Sequence, residues 1–164
     1  MSEKTWGYQP RPNRPAPDWD VNPQTDAVRA GLSRSGFGET SEALYLNSGF
    51  TYGSAQEAFD SFADETDHYL YSRFHNPTVA MFEKRLAAIE GAEYCVATGS
   101  GMSAMFASIA CLVSAGDRVV ASAAMFSSCH VVLTEILPKW GVTVELVKGN
   151  KKEDWAKALS NPTK

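Results

Sequence analysis

Apolar residues in the second half of the chain fall into short runs that alternate with longer segments of helical spacing. The short runs predict three strands, at residues 93–98, 118–122 and 142–147. The longer segments predict helices, at residues 102–115, 128–139 and 154–159. The first of these helices is apolar almost all round, so we expect it to be buried on several sides. Strands that alternate with helices of this length indicate βαβ units and a parallel sheet.

Two helix start signals organise the middle of the chain. Ser54 and Glu57 form a capping box, which predicts a helix of about two turns that buries Phe59 and Phe62. Asn76-Pro77 is the second start signal, because asparagine suits the N-cap and the N–H that proline lacks would be unpaired there anyway.

The helix that follows Asn76-Pro77 carries a regular apolar spacing. Phe82, Leu86 and Ile89 recur at intervals of four and three residues, which predicts that they form the buried face. Gly91 is the expected left-handed stop of this helix.

The amino-terminal region is dominated by proline, at positions 10, 12, 15, 17 and 23. Proline at this density blocks helix formation, so we interpret residues 1–20 as an extended, disordered leader. Residues 24–36 predict one short helix with Val28 and Leu32 on a single face, ended by Gly36 and Gly38.

Length, composition and charge narrow the class of protein. The 164 residues suit one domain with an appended arm, and 44% hydrophobic residues allow a packed core. The net charge of −4 argues against nucleic acid as a partner, and no apolar run approaches the roughly 20 residues that span a bilayer. The three cysteines, Cys95, Cys111 and Cys129, fit neither a disulfide framework nor a metal site. We therefore expect a cytoplasmic protein in a reducing compartment, with no membrane segment.

The loop at residues 98–104, Thr-Gly-Ser-Gly-Met-Ser-Ala, joins the first predicted strand to the apolar helix. Glycines and the free N–H groups of a helix start together favour an anion such as phosphate. The loop also matches the dinucleotide fingerprint, but the second strand ends without the acidic residue that holds a ribose. A simple phosphate is therefore favoured over a dinucleotide. A glycine turn that merely allows close packing of strand and helix stays open as the alternative.

Further candidate residues lie in loops. Tyr71 and Arg73 precede the Asn76-Pro77 helix start, and arginine suits bidentate phosphate contacts, although a solvated surface arginine is the alternative. Phe126 follows the second strand and can stack on a planar cofactor or fold onto the core. His68 and His75 lack partners at metal-ligand spacing, so we expect both to be solvated.

Several stretches together resemble the Cys/Met-metabolism family of pyridoxal-phosphate enzymes. They are Y-S-R-F-H-N-P-T at 71–78, the stretch from Leu86 to the G-A-E at 91–93, and S-G-M-S-A at 100–104. The stretch F-G-E-T-S-E-A-L at 37–44 is most similar to the sulfhydrylase branch of that family. The resemblance implies an α/β fold, the N-terminal part of a fold-type I transferase, with an incomplete, mainly parallel sheet flanked by helices. It also implies an extended arm and inter-subunit segment over residues 1–75 and the first part of the cofactor-binding domain over 76–164.

The resemblance implies roles for six residues. Ser100, Gly101 and Met102 match the loop whose backbone amides hold the phosphate of pyridoxal 5'-phosphate, and Phe126 matches the ring that stacks on the cofactor. Tyr71 and Arg73 match a pair that reaches the phosphate in the site of the neighbouring subunit, so a homodimer or homotetramer with shared sites is implied. Ser122 stands at a strand end near that ring and has no motif match.

The implied activity is a γ-replacement in which an O-succinyl or O-acetyl homoserine and sulfide give homocysteine, as in methionine biosynthesis. No lysine of this sequence stands in the Ser-x-x-Lys context of the family's Schiff-base lysine, so we expect that lysine downstream and the present segment to be inactive alone. The alternatives are a cystathionine γ-synthase or γ-lyase of the same family, a truncated remnant without chemistry, and a nucleotide-binding module built on Gly99 and Gly101.

Overall fold

The structure, a computed structural model, describes residues 22–164. The leader predicted over residues 1–20 lies outside the described residues. Contacts divide the chain into an amino-terminal unit that ends at Ala97 and a carboxy-terminal unit, Thr98–Lys164. The domain boundary near residue 75 is a different division, implied by the family resemblance, and it stays a prediction. Among the described residues, no helix combines the length and apolar character needed to cross a membrane.

The amino-terminal unit contains three helices: α1 at Pro23–Arg29, α2 at Ala55–Phe62 and α3 at Pro77–Glu90. Helix α1 is shorter than the predicted 24–36 segment, because Gly31 turns the chain with a left-handed φ of 71°. A Cβ at Gly31 would lie 2.7 Å from Cβ of Lys84, so this glycine lets the chain pass close to α3. Leu32 lies beyond the end of α1 and is buried, whereas Val28 lies in α1 and is exposed, so the two residues do not share the predicted helix face.

Helix α2 begins at the predicted capping box. The hydroxyl of Ser54 accepts a hydrogen bond from the Glu57 N–H, while the Glu57 carboxylate accepts from the N–H of Gly53, one residue earlier than expected. The predicted burial of Phe59 and Phe62 is wrong, since both rings are exposed and the buried residue of α2 is Ser61. Ser61 lies on the opposite side of the helix, where its hydroxyl bonds to the carbonyl of Glu57.

Helix α3 has the predicted ends. The Asn76 side chain caps it by accepting from the Thr78 N–H, and Gly91 ends it with a φ of 64°. The predicted buried face is wrong for two of its three residues, since Phe82 and Ile89 are 55% and 50% exposed, while Leu86 is half-buried. The buried residues are instead Ala80, Met81 and Ala87. Alanine side chains are small, so α3 can pack closely against α1 and the adjacent turn at Gly31.

Arg85 joins α3 to the chain that precedes α2. Its Nε donates to the carbonyl of Ala30 at 3.0 Å, and its guanidinium forms an ion pair with Glu42. A backbone hydrogen bond and this guanidinium hold the pKa of the Glu42 carboxyl below its ordinary value. The stretch at residues 37–44 is thereby tied to the helix.

The carboxy-terminal unit alternates helices and strands. In chain order it contains α4 at Gly101–Ala110, β1 at Arg118–Ser122, α5 at Ser127–Val131, β2 at Thr143–Val147 and α6 at Lys152–Ala158. Helix α5 continues into a π turn at Val132–Ile136 and a 3-10 turn at Leu137–Trp140. The two strands are parallel, with Arg118 opposite Thr143 and Ser122 opposite Val147. The predicted parallel α/β arrangement is confirmed.

The strand predicted at residues 93–98 is wrong. A β-strand forms hydrogen bonds to a neighbouring strand about 4.8 Å away, and no strand of the described residues pairs with residues 93–98. The N–H of Ala97 donates instead to the carboxylate of Glu83 in α3, at 2.7 Å.

Helix α4 packs on the core of its unit along one side. The core consists of Val132, Leu133, Leu137 and Val142. Met102, Met105, Phe106 and Ile109 contact that core, but no residue of α4 is fully buried. The predicted burial of α4 on several sides is therefore wrong, as is its predicted extension to residue 115.

Candidate functional site

The start of α4 presents free backbone donors. Ser100 is the N-cap, and its hydroxyl accepts from the N–H of Ser103 at 3.1 Å and lies 3.0 Å from the Ser103 hydroxyl. The hydroxyl of Thr98 donates to the Ser100 carbonyl at 2.8 Å, which holds the loop. The N–H groups of Gly101 and Met102 have no acceptor among the described residues. These two donors and the positive end of the helix dipole form a site suited to an anion.

The two glycines of this loop are not explained by packing. A Cβ at Gly99 or at Gly101 would meet no atom within 4 Å, and neither residue has a left-handed φ. The alternative of a glycine turn that allows close packing is therefore not supported within the described residues. The space in front of the loop is open, as the approach of a phosphate group to the backbone requires.

Phe126 lies at the carboxyl end of β1, the edge where open parallel sheets bind ligands. Its ring is 68% exposed, so it is not folded onto the core. The neighbouring residue Met125 contacts the core instead. Phe126 thus presents an accessible aromatic face in the same unit as the loop at Ser100.

Tyr71 and Arg73 are brought together in the amino-terminal unit. The guanidinium carbon of Arg73 lies 5.5 Å from the ring centroid of Tyr71 and 5.0 Å from that of Phe74. Tyr71 also forms an isolated antiparallel bridge with Gly49, which fixes its backbone. No carboxylate of the described residues pairs with Arg73, so its exposed cation can bind an anion.

Of the two histidines that were expected to be solvated, His75 is exposed and His68 is not. His68 is half-buried: its Nδ1 lies 2.7 Å from the carbonyl of Tyr69 and its ring lies 4.9 Å from that of Tyr52. His75 is exposed, but one face stacks on Tyr69 at 5.1 Å, and burial raises the pKa of the Tyr69 hydroxyl. No described cluster of His, Cys, Asp or Glu could hold a metal ion.

Three residues that shape the loop were not candidates from the sequence. Thr98 and Ser103 lie inside the glycine motif, and the three-residue spacing of Ser103 from Ser100 is a recognisable capping pattern. Glu83 fixes Ala97, directly before the loop, from a helix position 14 residues away. No local sequence signal predicts that contact.

Known proteins share much of this sequence. The family model for Cys/Met metabolism PLP-dependent enzymes matches residues 24–164. The O-succinylhomoserine sulfhydrylase of Mycobacterium tuberculosis is 55% identical over 143 residues, which are 87% of this chain and 35% of that protein. The enzyme of the same name from Pseudomonas aeruginosa is 41% identical over 140 residues, 85% of this chain and 35% of that protein. An L-methionine gamma-lyase of Treponema denticola is 33% identical over 137 residues, 84% of this chain and 34% of that protein.

Solved structures show the same fold. One of them is assigned as an O-acetylhomoserine (thiol)-lyase of Campylobacter jejuni and carries N'-pyridoxyl-lysine-5'-monophosphate. It superposes with a TM-score of 0.80 at 24% identity, and the match covers 88% of this chain and 36% of that chain. A cystathionine gamma-lyase of Lactobacillus plantarum superposes with a TM-score of 0.71 at 24% identity and covers 84% of this chain and 34% of its own. The chain spans about 35% of the length of the curated relatives that it matches.

Proposed function

The chain belongs to the Cys/Met metabolism PLP-dependent enzymes, and from that premise we propose that it is the phosphate-binding part of a γ-replacement enzyme. In the proposed reaction sulfide replaces the acyloxy group on the γ-carbon of an O-acylated homoserine, preferably O-succinylhomoserine, which gives homocysteine and releases the acyl group as succinate. The 55% identity to an O-succinylhomoserine sulfhydrylase supports this choice of substrate. The observation that carries the binding role is the pair of free N–H groups at Gly101 and Met102.

Each candidate residue has a separate part in this proposal. The backbone amides of Ser100, Gly101 and Met102 bind the phosphate, and the exposed ring of Phe126 covers one face of the pyridine. Tyr71 and Arg73 reach the phosphate in the site of a second copy, so the complete enzyme is a homodimer or homotetramer. Pyridoxal phosphate, when bound, supplies the electron sink for chemistry on an amino-acid substrate.

We infer that this segment binds the phosphate end of the cofactor but does not catalyse turnover. No lysine of the 164 residues stands in the sequence context expected for the Schiff-base partner. The 164-residue chain, mixed with pyridoxal phosphate, O-succinylhomoserine and sulfide, is expected to form no homocysteine. Homocysteine formation by the purified chain would contradict this part of the proposal.

The binding role is tested with pyridoxamine 5'-phosphate, whose amine cannot form Schiff bases with surface lysines. Gly101→Pro removes one N–H donor, and proline fits the first position of a helix after the extended Ser100. We expect the affinity to fall by about 10-fold, as for the loss of one hydrogen bond to a charged group. The measurement is a fluorescence titration of the purified chain.

The matched control is Gly101→Ala, which keeps the N–H and places a Cβ where no atom lies within 4 Å. Because this Cβ enters the space from which a phosphate would approach, the variant should lose some affinity, but less than Gly101→Pro. Equal affinity of the proline and alanine variants would contradict the role of this amide. Equal affinity for pyridoxamine without its phosphate would contradict phosphate recognition altogether.

A lyase is the second candidate, because relatives at 33% identity are named L-methionine gamma-lyase. Assays of the products formed by the complete enzyme distinguish a sulfhydrylase from a lyase. A sulfhydrylase consumes sulfide and forms homocysteine, whereas a γ-lyase converts methionine and water to a thiol, a keto acid and ammonia without added sulfide. Replacement of sulfide by cysteine tests the cystathionine γ-synthase alternative, since the product would then be cystathionine.

A further inference from the structure

The turn after β1 is held by one side chain. The hydroxyl of Ser122, the last residue of β1, accepts from the N–H of Ala124 at 3.1 Å and lies 3.5 Å from the Ala124 carbonyl. The next residue, Ala123, donates its N–H to the carbonyl of Val147 in β2 at 2.9 Å. The strand end and the turn are therefore tied to each other and to the neighbouring strand.

The ring of Phe126 projects from the segment that follows this turn. Met125 contacts the core, and the carbonyl of Phe126 accepts from the N–H of His130 at 3.1 Å, so the backbone is fixed on both sides of the ring. No aromatic ring of the described residues stacks on Phe126, which is 68% exposed. With few packing contacts of its own, the ring takes its position from the backbone of the turn. Ser122 supplies the side-chain hydrogen bond within that turn.

We propose that Ser122 is a positioning residue that sets the Phe126 ring for stacking on the cofactor. This inference rests on the proposed function, because it assumes that Phe126 stacks on the pyridine. Ser122 acts through the shape of the turn and need not touch the cofactor. Serine suits this task because its short hydroxyl reaches the N–H two residues further along the chain.

A double-mutant cycle tests the proposal in the 164-residue chain. The affinity for pyridoxamine 5'-phosphate is measured for Ser122→Ala, Phe126→Ala and the double variant. We expect each single variant to weaken binding several-fold, and the double variant to match Phe126→Ala alone. Losses that multiply in the double variant would show that Ser122 acts independently of the ring, which would overturn the inference.

Two further variants separate positioning from folding. Ser160→Ala is the matched control, because the Ser160 hydroxyl donates to the Lys157 carbonyl outside the site, and its affinity should be unchanged. Ser122→Thr keeps the hydroxyl, so its affinity and its midpoint of thermal unfolding should equal those of the unchanged chain. A threonine variant that binds as weakly as Ser122→Ala would contradict the role of the hydroxyl.

A readout without cofactor completes the test. Amide hydrogen exchange at Ala124 should be slow in the unchanged chain and in Ser122→Thr, and fast in Ser122→Ala. Unchanged exchange in Ser122→Ala would overturn the inference even if the chain binds no pyridoxamine 5'-phosphate. Absence of binding by the unchanged chain would count against the proposed function instead, so the two failures are distinguishable.

Discussion

At the scale of single residues, two helices end in the same left-handed geometry with different side chains. Gly91 ends α3 with a φ of 64°, while Asp64 takes a φ of 60° after α2. The N–H groups of Asp64 and Glu65 donate to the carbonyls of Ser61 and Asp60, at 3.3 and 2.9 Å. These two hydrogen bonds form a Schellman motif with Asp64 as its left-handed residue. At that position a residue with a Cβ is less favourable than glycine.

Asp64→Gly is therefore expected to stabilise the chain. The gain should be about 0.5 kcal/mol, because relief of left-handed strain exceeds the greater chain entropy of glycine in the unfolded state. Urea unfolding provides the measurement. The control is Asp67→Gly in the same loop, where φ is not left-handed and glycine should lower stability. A lower urea midpoint for Asp64→Gly would contradict the assignment of strain.

Glu39 closes a loop in a way that depends on its charge. Its two carboxylate oxygens accept from the N–H and the hydroxyl of Ser35, each at 2.7 Å. Hydrogen bonds from the backbone and side chain of Ser35 hold the pKa of Glu39 below its ordinary value. The pKa of Glu39 is lower in the folded chain than in the unfolded chain. Its contribution to the stability of the folded chain is therefore complete at neutral pH and is lost as the pH falls through the folded pKa.

Acidification should consequently open the loop at residues 35–39. The exchange protection of the Ser35 amide should decrease below about pH 4, the ordinary range of a glutamate. In Glu39→Gln the protection should be weaker at neutral pH and independent of pH over this range. Glu90→Gln, at the end of α3, is the control and should keep the unchanged profile. A pH-dependent profile in Glu39→Gln would assign the effect to another group.

At the scale of elements, the helical segment from Ser127 to Trp140 forms the centre of its unit. Its π turn and 3-10 turn place Leu133 and Leu137 in the core, at 2% and 0% exposure. Pro138 has no N–H to continue an α-helical ladder, which accounts for the tighter turn at its position. The sequence pattern predicts a helix over residues 128–139, but not this change of helical type.

Truncation of the core of this segment should be severe. Leu137→Ala is expected to lower the free energy of unfolding by about 2–5 kcal/mol, because it removes buried methyl groups and leaves a cavity. Urea unfolding followed by circular dichroism measures the change. Leu112→Ala removes the same atoms from a side chain that is 64% exposed, and should change stability by less than about 0.5 kcal/mol. Similar losses in both variants would contradict the packing described for Leu137.

At the scale of the whole molecule, large apolar side chains are exposed on the described surface. On α3 these are Val79, Phe82 and Ile89, at 41%, 55% and 50% exposure. Exposed apolar side chains at helical spacing form a continuous stripe, which promotes association.

The isolated 164-residue chain should therefore self-associate and bind a hydrophobic dye. Combined Phe82→Gln and Ile89→Gln substitutions should lower both dye emission and the mass measured by light scattering. Ala88→Gln, on the same helix, is the control and should leave both unchanged, since it removes no large apolar group. A monomeric unchanged chain that binds no dye would contradict this prediction.

Local signals in the sequence predict where elements begin and end. The N-caps Ser54 and Asn76 and the left-handed stop at Gly91 are confirmed, as are the strands β1 and β2. Caps and short apolar runs act over a few residues, so a single sequence contains the interactions that define them. The start of a helix after the glycine loop was predictable for the same reason, while the role of that helix start as an anion site stays a prediction.

Tertiary structure alone decided which faces are buried and how the site is held. Phe82 and Ile89 follow the helical spacing, but α3 buries a different side, on which the turn at Gly31 lies against Met81 and Lys84. The bond from Ala97 to Glu83 likewise joins residues that are 14 positions apart in the sequence. The sequence by itself determined the family, the parallel arrangement, the start of α2 and both ends of α3, since these depend on short-range patterns and motifs. Burial depends on which surface a face meets, and that is fixed only when remote segments pack together.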